Sequence, residues 1–429
     1  MPPPDPAQAP GPTPRPGPDP QTGPAPQPDL ARTPHPTRTP RPGTATIVAA
    51  YAFWATMVGT TVPTPLYPLY QHDFGFSALM VTVIFAVYAL GVVVGLLAFG
   101  RLSDEIGRRP VIAVALLLAA LAAGLFLAAD GLPWMLTARV LSGFSAALIT
   151  GGATAALLDL AAPGRKARAQ SLAIAANMGG LACGTLLSGL LAQWAGSPLR
   201  LPWLVTLGLT AVAAAGLVAL PETVAAPAGF RLRPQALRVP APIRPAFLRA
   251  ALTAGSGFAV LGVLTAVTGL FLGRVLHFED PALTGLVVFL AFACTALGQF
   301  AARVLPAGRA LPVACAGLVL AAALIATALL AESLPALLAG AAANGLATGI
   351  AVGNGLGVIN GGTPPQHRGE VVSTYFAILY AMLSVPVIGV GVLIQAAGLR
   401  TAGVTFSALV AALALAVAVS LLRGPRQGR

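Results

Sequence analysis

The sequence predicts an all-α, polytopic membrane protein with twelve transmembrane helices arranged as two six-helix bundles. Three observations carry this reading. Beyond residue 43, apolar runs of about 18 residues or more recur to the end of the chain, each long enough to cross roughly 30 Å of hydrocarbon. Lys and Arg fall almost wholly into alternate loops. The two halves of the chain match each other at a constant offset of 202 residues.

The elements follow in order. Residues 1–43 hold 17 of the 39 prolines and no apolar run. Such a segment cannot bury enough surface to fold, so a disordered cytoplasmic tail without a cleavable signal peptide is expected. Spans are read at 46–69, 77–99, 111–129, 133–158, 169–193, 201–220, 249–273, 282–304, 309–330, 334–359, 371–395 and 402–422. The first bundle takes residues 44–221 and the second 248–423, joined by a cytoplasmic linker at 222–247 and followed by a short tail at 424–429. Pro133, Pro221 and Pro281 mark span ends. Pro63, Pro65 and Pro68 are expected to break span 1 near its extracytoplasmic end, either as a gate hinge or as simple termination.

An even span count puts both termini on one side. Of 25 Lys and Arg residues, 21 lie in the loops and tails of that side and three (Arg200, Arg274, Arg400) on the other. The positive-inside bias therefore predicts both termini in the cytoplasm, and one lysine against 24 arginines with heavy Ala, Gly and Pro use suggests a high-GC bacterial genome and hence a bacterial plasma membrane. The same distribution argues against nucleic acid as the partner of a chain with net charge +12, because the arginines are scattered over loops and not gathered on an aromatic-bearing face.

At the 202-residue offset Arg101 meets Arg303, Pro110 meets Pro312, Pro163 meets Pro365, Lys166 meets Arg368, Ser171 meets Ser373 and Gly143 meets Gly345. One offset covering two loops points to a parallel duplication. Such repeats place a substrate site between the halves near the bilayer midplane.

Polar side chains are unevenly shared. Spans 3, 6, 9 and 12 are nearly pure Ala, Leu and Val, and the other eight carry the hydroxyls and amides. A polar group facing lipid is costly, so every third helix reads as an outer support and the rest as cavity walls. The candidate cavity residues are Thr56, Thr60, Tyr88, Arg139, Asn177, Asn344 and Tyr380. Each could instead be a hydrogen-bonded contact between helices, worth about 0.6–2 kcal/mol. Arg139, the only charge well inside a span, is open to two readings: a hydrogen-bond hub or a contact for substrate or coupling.

Charged residues make up 9% of the chain, against about 25% in soluble domains, yet five fall in the eleven positions from Gly100 to Pro110. This segment contains Gly100, Leu102, Ser103, Asp104, Gly107, Arg108 and Arg109, which complete the pattern G-x-L-(A/S)-D-x-x-G-R-(R/K). Arg139, Gly143, Ala146 and Ala147 form R-x-x-x-G-x-x-A-A, and Pro221-Glu222-Thr223 follows span 6. On these motifs the chain resembles the major facilitator superfamily over nearly all of 45–422, closest to its drug and metabolite efflux members.

That resemblance implies a mostly monomeric secondary transporter that moves a small molecule across the bilayer by alternating access. It implies no cofactor and a proton gradient as the drive. It also implies that Asp104 docks against the cytoplasmic end of span 11 in the outward-facing state. Helix N-termini favour anions by about 0.3–1 kcal/mol, which agrees with that docking. The latch is expected from Gly100, Asp104, Gly107, Arg108, Arg109, Asp159 and Arg368. The span 5 antiporter signature is partial: Gly180, Gly184 and Gly189 fit, while Thr185 and Ser188 depart from it.

None of the thirteen acids lies mid-span, which leaves Asp73, Asp104, Asp159 or His277 as proton carriers. Export of a drug-like compound or metabolite is the first reading; uniport or uptake of a neutral nutrient such as a sugar is the alternative. The spans hold no paired acids, His cluster or Ser/Lys dyad for an intramembrane enzyme. Cys183, Cys294 and Cys315 lie in apolar runs without metal-ligand spacing. No folded soluble region suggests a sensor or scaffold.

Overall fold

The computed structural model describes residues 42–224, 237, 239–364 and 367–423. The Pro-rich segment up to residue 41, half of the 222–247 linker (225–236 and 238), residues 365–366 and the 424–429 tail lie outside the described residues.

Among the described residues, twelve helices are long and apolar enough to cross a membrane. They run Gly43–Phe74, Ala78–Phe99, Arg108–Leu127, Leu132–Asp159, Lys166–Trp194, Leu201–Ala219, Ala241–Arg274, Pro281–Ala301, Gly308–Leu330, Leu334–Gly362, Arg368–Ala397 and Leu399–Arg423. These are the twelve spans read from the sequence, each extended or trimmed by a few residues. The ends have local causes. The Ser77 hydroxyl accepts the Met80 N–H at 3.3 Å and caps span 2. Pro133, Pro202 and Pro281 sit in first turns, where a missing N–H removes no helix bond. Gly75 closes span 1 in the left-handed region at φ 68°.

Span 1 is interrupted at Val62, where helix Pro42–Thr61 gives way to helix Pro63–Phe74. Pro63 and Pro65 lack the N–H groups that would continue the ladder across this point. Val62 itself keeps helical angles, so the chain runs on without reversing. Two carbonyls beside the break accept from side chains of neighbouring spans. Arg139 Nη1 donates to the Thr60 carbonyl at 2.7 Å, and Ser188 Oγ donates to the Val62 carbonyl at 2.7 Å.

The outer helices are the ones low in polar residues. Buried shares are 39, 28, 39 and 28% for spans 3, 6, 9 and 12, against 61% for spans 1, 4 and 10 and 89% for span 7. The duplication is visible in packing. Gly143 of span 4 meets span 2 so closely that a Cβ there would lie 2.5 Å from the Tyr88 carbonyl. Its counterpart Gly345 of span 10 meets span 8, where a Cβ would lie 2.8 Å from that of Cys294.

The first six spans meet the last six mainly through span 2 against span 11 and span 5 against span 8. At the face opposite the termini the approach is between backbones: a Cβ on Gly285 would lie 2.5 Å from the Thr185 carbonyl. There Thr185 Oγ1 donates to the Gly285 carbonyl at 3.2 Å, and Gln193 Nε2 donates to Asp280 at 2.8 Å.

Candidate functional site

A cavity with about 790 Å³ of atom-free space, part of it open, lies between the two sets of six spans. Its walls come from spans 1, 2, 4, 5, 7, 8 and 11. Phe85, Tyr88, Phe258, Phe292, Phe376 and Tyr380 supply aromatic surface. Thr60, Thr61, Thr150, Thr265 and Asn177 supply the polar groups, and no charged residue lines it. A wall of this kind takes an apolar or amphipathic molecule and orients it with a few hydrogen bonds. On spans 2 and 11 the lining runs to Leu96 and Phe376, toward the face that carries the termini.

Of the cavity candidates, Thr60, Tyr88, Asn177 and Tyr380 lie on this wall. Thr56 lines a smaller space of about 270 Å³ inside the first six spans, which Thr60 also reaches. Asn344 and Arg139 sit behind the wall. Asn344 is fully buried and donates through Nδ2 to the Gly257 carbonyl at 3.3 Å, which turns it toward span 7 and away from the cavity.

Arg139 is 1% exposed. Besides Thr60, its guanidinium donates to the Tyr67 hydroxyl, at 3.1 Å from Nε and again from Nη2. It also lies 5.6, 5.4 and 5.8 Å from the ring centres of Tyr67, Tyr88 and Phe126. The charge is met by a hydroxyl, a carbonyl and π-faces. No carboxylate among the described residues forms an ion pair with it. Of the two readings left open by the sequence, this geometry is that of a hub: the guanidinium ties span 4 to both sides of the break in span 1.

At the termini face the signature segment folds into a short helix, Leu102–Ile106, followed by Gly107 at φ 108° and the start of span 3. Arg108 donates to Asp104, to Ser103 at 2.8 Å and to Asp159 at 3.1 Å. Thr223 Oγ1 donates to the same Asp159 oxygen at 3.1 Å. The Glu222 carboxylate accepts backbone N–H groups from Arg108 at 2.9 Å, Arg109 at 3.0 Å, Thr223 at 2.9 Å and Val224 at 3.0 Å. It thus caps the N-terminus of span 3 from the end of span 6.

Gly107 is required twice over. Its φ is one that side chains avoid, and a Cβ would lie 2.8 Å from the Glu222 carboxyl carbon. Partial burial pushes the Glu222 pKa up, but the four N–H groups outweigh it and hold the pKa below the usual carboxylate value.

The expected docking of Asp104 on span 11 is not the contact found. Asp104 pairs with Arg108 four residues on, a local partner within reach of the same short turn. The residue that crosses is Arg101, whose Nη2 donates to Glu370 at the start of span 11 at 2.8 Å. Arg303, 202 positions later, crosses in the opposite sense and donates to Ser171 of span 5 at 2.5 Å. Among the remaining latch candidates, Arg109 contributes its backbone N–H, and Gly100 keeps ordinary helical angles. Arg368 donates to the Asn360 carbonyl at 3.0 Å, at the end of span 10.

Sequence reasoning did not assign Glu222, Arg101 or Glu370 a role in this cluster. The signals available were the Pro221-Glu222-Thr223 run and the Arg101–Arg303 match in the repeat.

Comparison with known proteins bears on the whole helical region. The human organic anion transporter TETRAN superposes with a TM-score of 0.64 at 18% identity, covering 89% of this chain and 100% of that one. A bacterial homologue of the human lysosomal transporter Spinster, inward-facing and unoccupied, gives 0.65 at 16%, covering 89% and 98%. A mutant of the nucleoside transporter NupG gives 0.67 at 12%, covering 89% and 100%. At these identities the likeness establishes the fold. No curated protein matches the sequence significantly. The family model described as Major Facilitator Superfamily matches residues 49–385, and the chain belongs to that superfamily of membrane transporters.

Proposed function

We propose that this chain exports a small, mostly apolar organic molecule, a drug-like compound or metabolite, across a bacterial cytoplasmic membrane by proton-linked alternating access. Both termini then lie in the cytoplasm, which the arginine distribution supports. The observation that carries the proposal is the central cavity, whose wall is aromatic and aliphatic with four threonines and one amide, and holds no charged residue. A sugar site would call for several amides, Trp and acids, and Asn177 is the only amide on the wall. Arg139 lies behind Tyr88 without a carboxylate to offset it, which disfavours a cationic cargo. The structural neighbours include an organic anion transporter and a nucleoside transporter, so they support transport and leave the cargo to be found.

The test is growth of an efflux-deficient bacterial host on a panel of toxic compounds, with and without this chain. Protection that collapses on adding an uncoupler is the expected result. Failure to protect against any compound, or faster accumulation of a compound inside the cells, would refute export.

A second reading has one observation in its favour. The cavity wall carries no acid, and no described acid lies mid-span. Facilitated passage without a coupled proton would therefore need no rearrangement of titratable groups. Protection that survives the uncoupler selects this reading.

A further inference from the structure

The second half of the chain holds a space of its own. About 500 Å³ of atom-free volume, part of it open, lies between spans 7, 9, 10, 11 and 12, toward the face opposite the termini. Leu264, Val267, Leu329, Leu337 and Phe406 line it, and Thr268 is its only polar side chain. It shares no lining residue with the central cavity. Span 7 divides the two: Leu261 and Thr265 line the cavity, whereas Leu264, Val267 and Thr268 line the second space.

The corresponding part of the first half is packed differently. In the first half, Phe126 stacks on Trp203 with ring centres 4.3 Å apart, and the Trp203 indole N–H donates to the Tyr70 hydroxyl at 2.8 Å. Arg139 and Tyr67 complete this buried plug. The residues 202 positions on from Tyr67, Tyr70, Phe126, Arg139 and Trp203 are Gly269, Leu272, Ala328, Ala341 and Thr405. Smaller side chains thus stand in the second half at the places of four aromatic rings and a guanidinium; none of these five residues lines the second space, and Gly269 faces Pro68 of span 1.

The chemistry of the wall selects the occupant. Atoms lining an unfilled space lose dispersion contacts on one side, and an apolar space of this kind takes apolar molecules and not water. A linear alkyl chain is the apolar group most available in the surrounding bilayer. Thr268 adds a second requirement. Its side chain is 3% exposed, it faces the space, and its hydroxyl has no hydrogen-bond partner. A buried hydroxyl in a low-dielectric site needs one.

We propose that this space is a second binding site, separate from the transport cavity, for an alkyl chain that carries a hydrogen-bonding oxygen beside Thr268. A free long-chain alcohol or acid supplies that chemistry, and so does the esterified chain of a bilayer lipid.

The test uses the full chain in lipid nanodiscs and two photoreactive probes: a decanol with a diazirine on its chain, and a phosphatidylglycerol with the same diazirine on one acyl chain. After irradiation, the labelled residues are mapped by mass spectrometry. At least one probe is expected to label Val267, Thr268, Leu337 or Phe406. Decanol labelling identifies a free amphiphile, and phospholipid labelling a lipid chain. Val267→Phe fills the space and should reduce that label at least tenfold, while label on the outward-facing Leu320 and Leu415 stays unchanged. Thr268→Val keeps the shape and removes the hydroxyl, and should reduce it several-fold; this variant decides the matter if Val267→Phe does not fold. Label confined to Leu320 and Leu415, or pocket label unaltered in the folded variants, overturns the proposal.

Discussion

Arg101 reaches across from the end of span 2 to Glu370 at the start of span 11, with 2.8 Å between nitrogen and oxygen. Its repeat partner Arg303 reaches from the end of span 8 to Ser171 at the start of span 5. Two arginines at matching places thus bind the first six spans to the last six at the termini face, one through a carboxylate and one through a hydroxyl.

Arg101→Ala should loosen this face. Ion pairs near the surface contribute about 0.2–1 kcal/mol, so the effect on opening is modest. With Thr150→Cys on the cavity wall, labelling by a membrane-impermeant maleimide in inside-out vesicles should rise about two- to five-fold. The exchange Arg101→Glu with Glu370→Arg should bring it back. Labelling that is the same in all three backgrounds would show that the pair does not hold the face closed.

Arg139→Leu should act on the fold before it acts on cargo. The substitution leaves the Thr60 carbonyl and the Tyr67 hydroxyl without the donors they have now. Each buried group left unsatisfied costs about 1–3 kcal/mol. Reduced yield and a lower midpoint of thermal unfolding in detergent are the expected outcome, with Arg139→Lys intermediate. Normal yield and melting with transport abolished would assign Arg139 to the cargo instead.

Glu222→Gln should destabilise the junction of spans 3 and 6 by about 1 kcal/mol, the usual worth of a helix cap. The pH dependence has a definite sign. The folded pKa of Glu222 lies below its ordinary value of 4.5, so its contribution is fully present above that pH. It is lost as pH falls from there through the lowered pKa. The gap in melting temperature between wild type and Glu222→Gln should therefore close on acidification below about 4.5; a gap that widens there contradicts the capping role.

Gly143→Val should prevent spans 2 and 4 from approaching, because a Cβ at that position would lie 2.9 Å from the Gly91 Cα. Overpacking of this kind typically costs about 1–3 kcal/mol. The repeat predicts the same for Gly345→Val between spans 8 and 10. Size-exclusion profiles of the purified variants check both, and a monodisperse peak at wild-type yield would contradict the packing argument.

The twelve spans were legible because hydrocarbon leaves the sequence little choice: an apolar run of sufficient length must be a helix with its backbone bonds satisfied internally. The break at Val62 was legible from Pro63 and Pro65. The facing of a polar residue on a helix buried all round was not. Asn177 and Asn344 look alike in sequence, yet one lies on the cavity wall and the other turns to the Gly257 carbonyl. Arg139 was visible as an anomaly, but the carbonyl that receives it was hidden in the backbone of another span. The resemblance places Asp104 on span 11 in the outward-facing state, whereas in this structure it pairs with Arg108 four residues away. Arg101 and Arg303 were already paired by the repeat, and only the three-dimensional arrangement gives that pairing a purpose.

The two faces of the molecule are closed by different physics. Where Gly285 meets the Thr185 backbone, contact depends on shape and is indifferent to the ions in solution. Where Arg101 meets Glu370, contact depends on charges that remain partly in water. At 0.15 M salt such charges are already screened over about 8 Å. Raising the ionic strength on the termini side alone therefore weakens one closure and spares the other. If access alternates as proposed, its balance is expected to depend on the electrolyte of a single compartment, before any cargo or gradient is supplied.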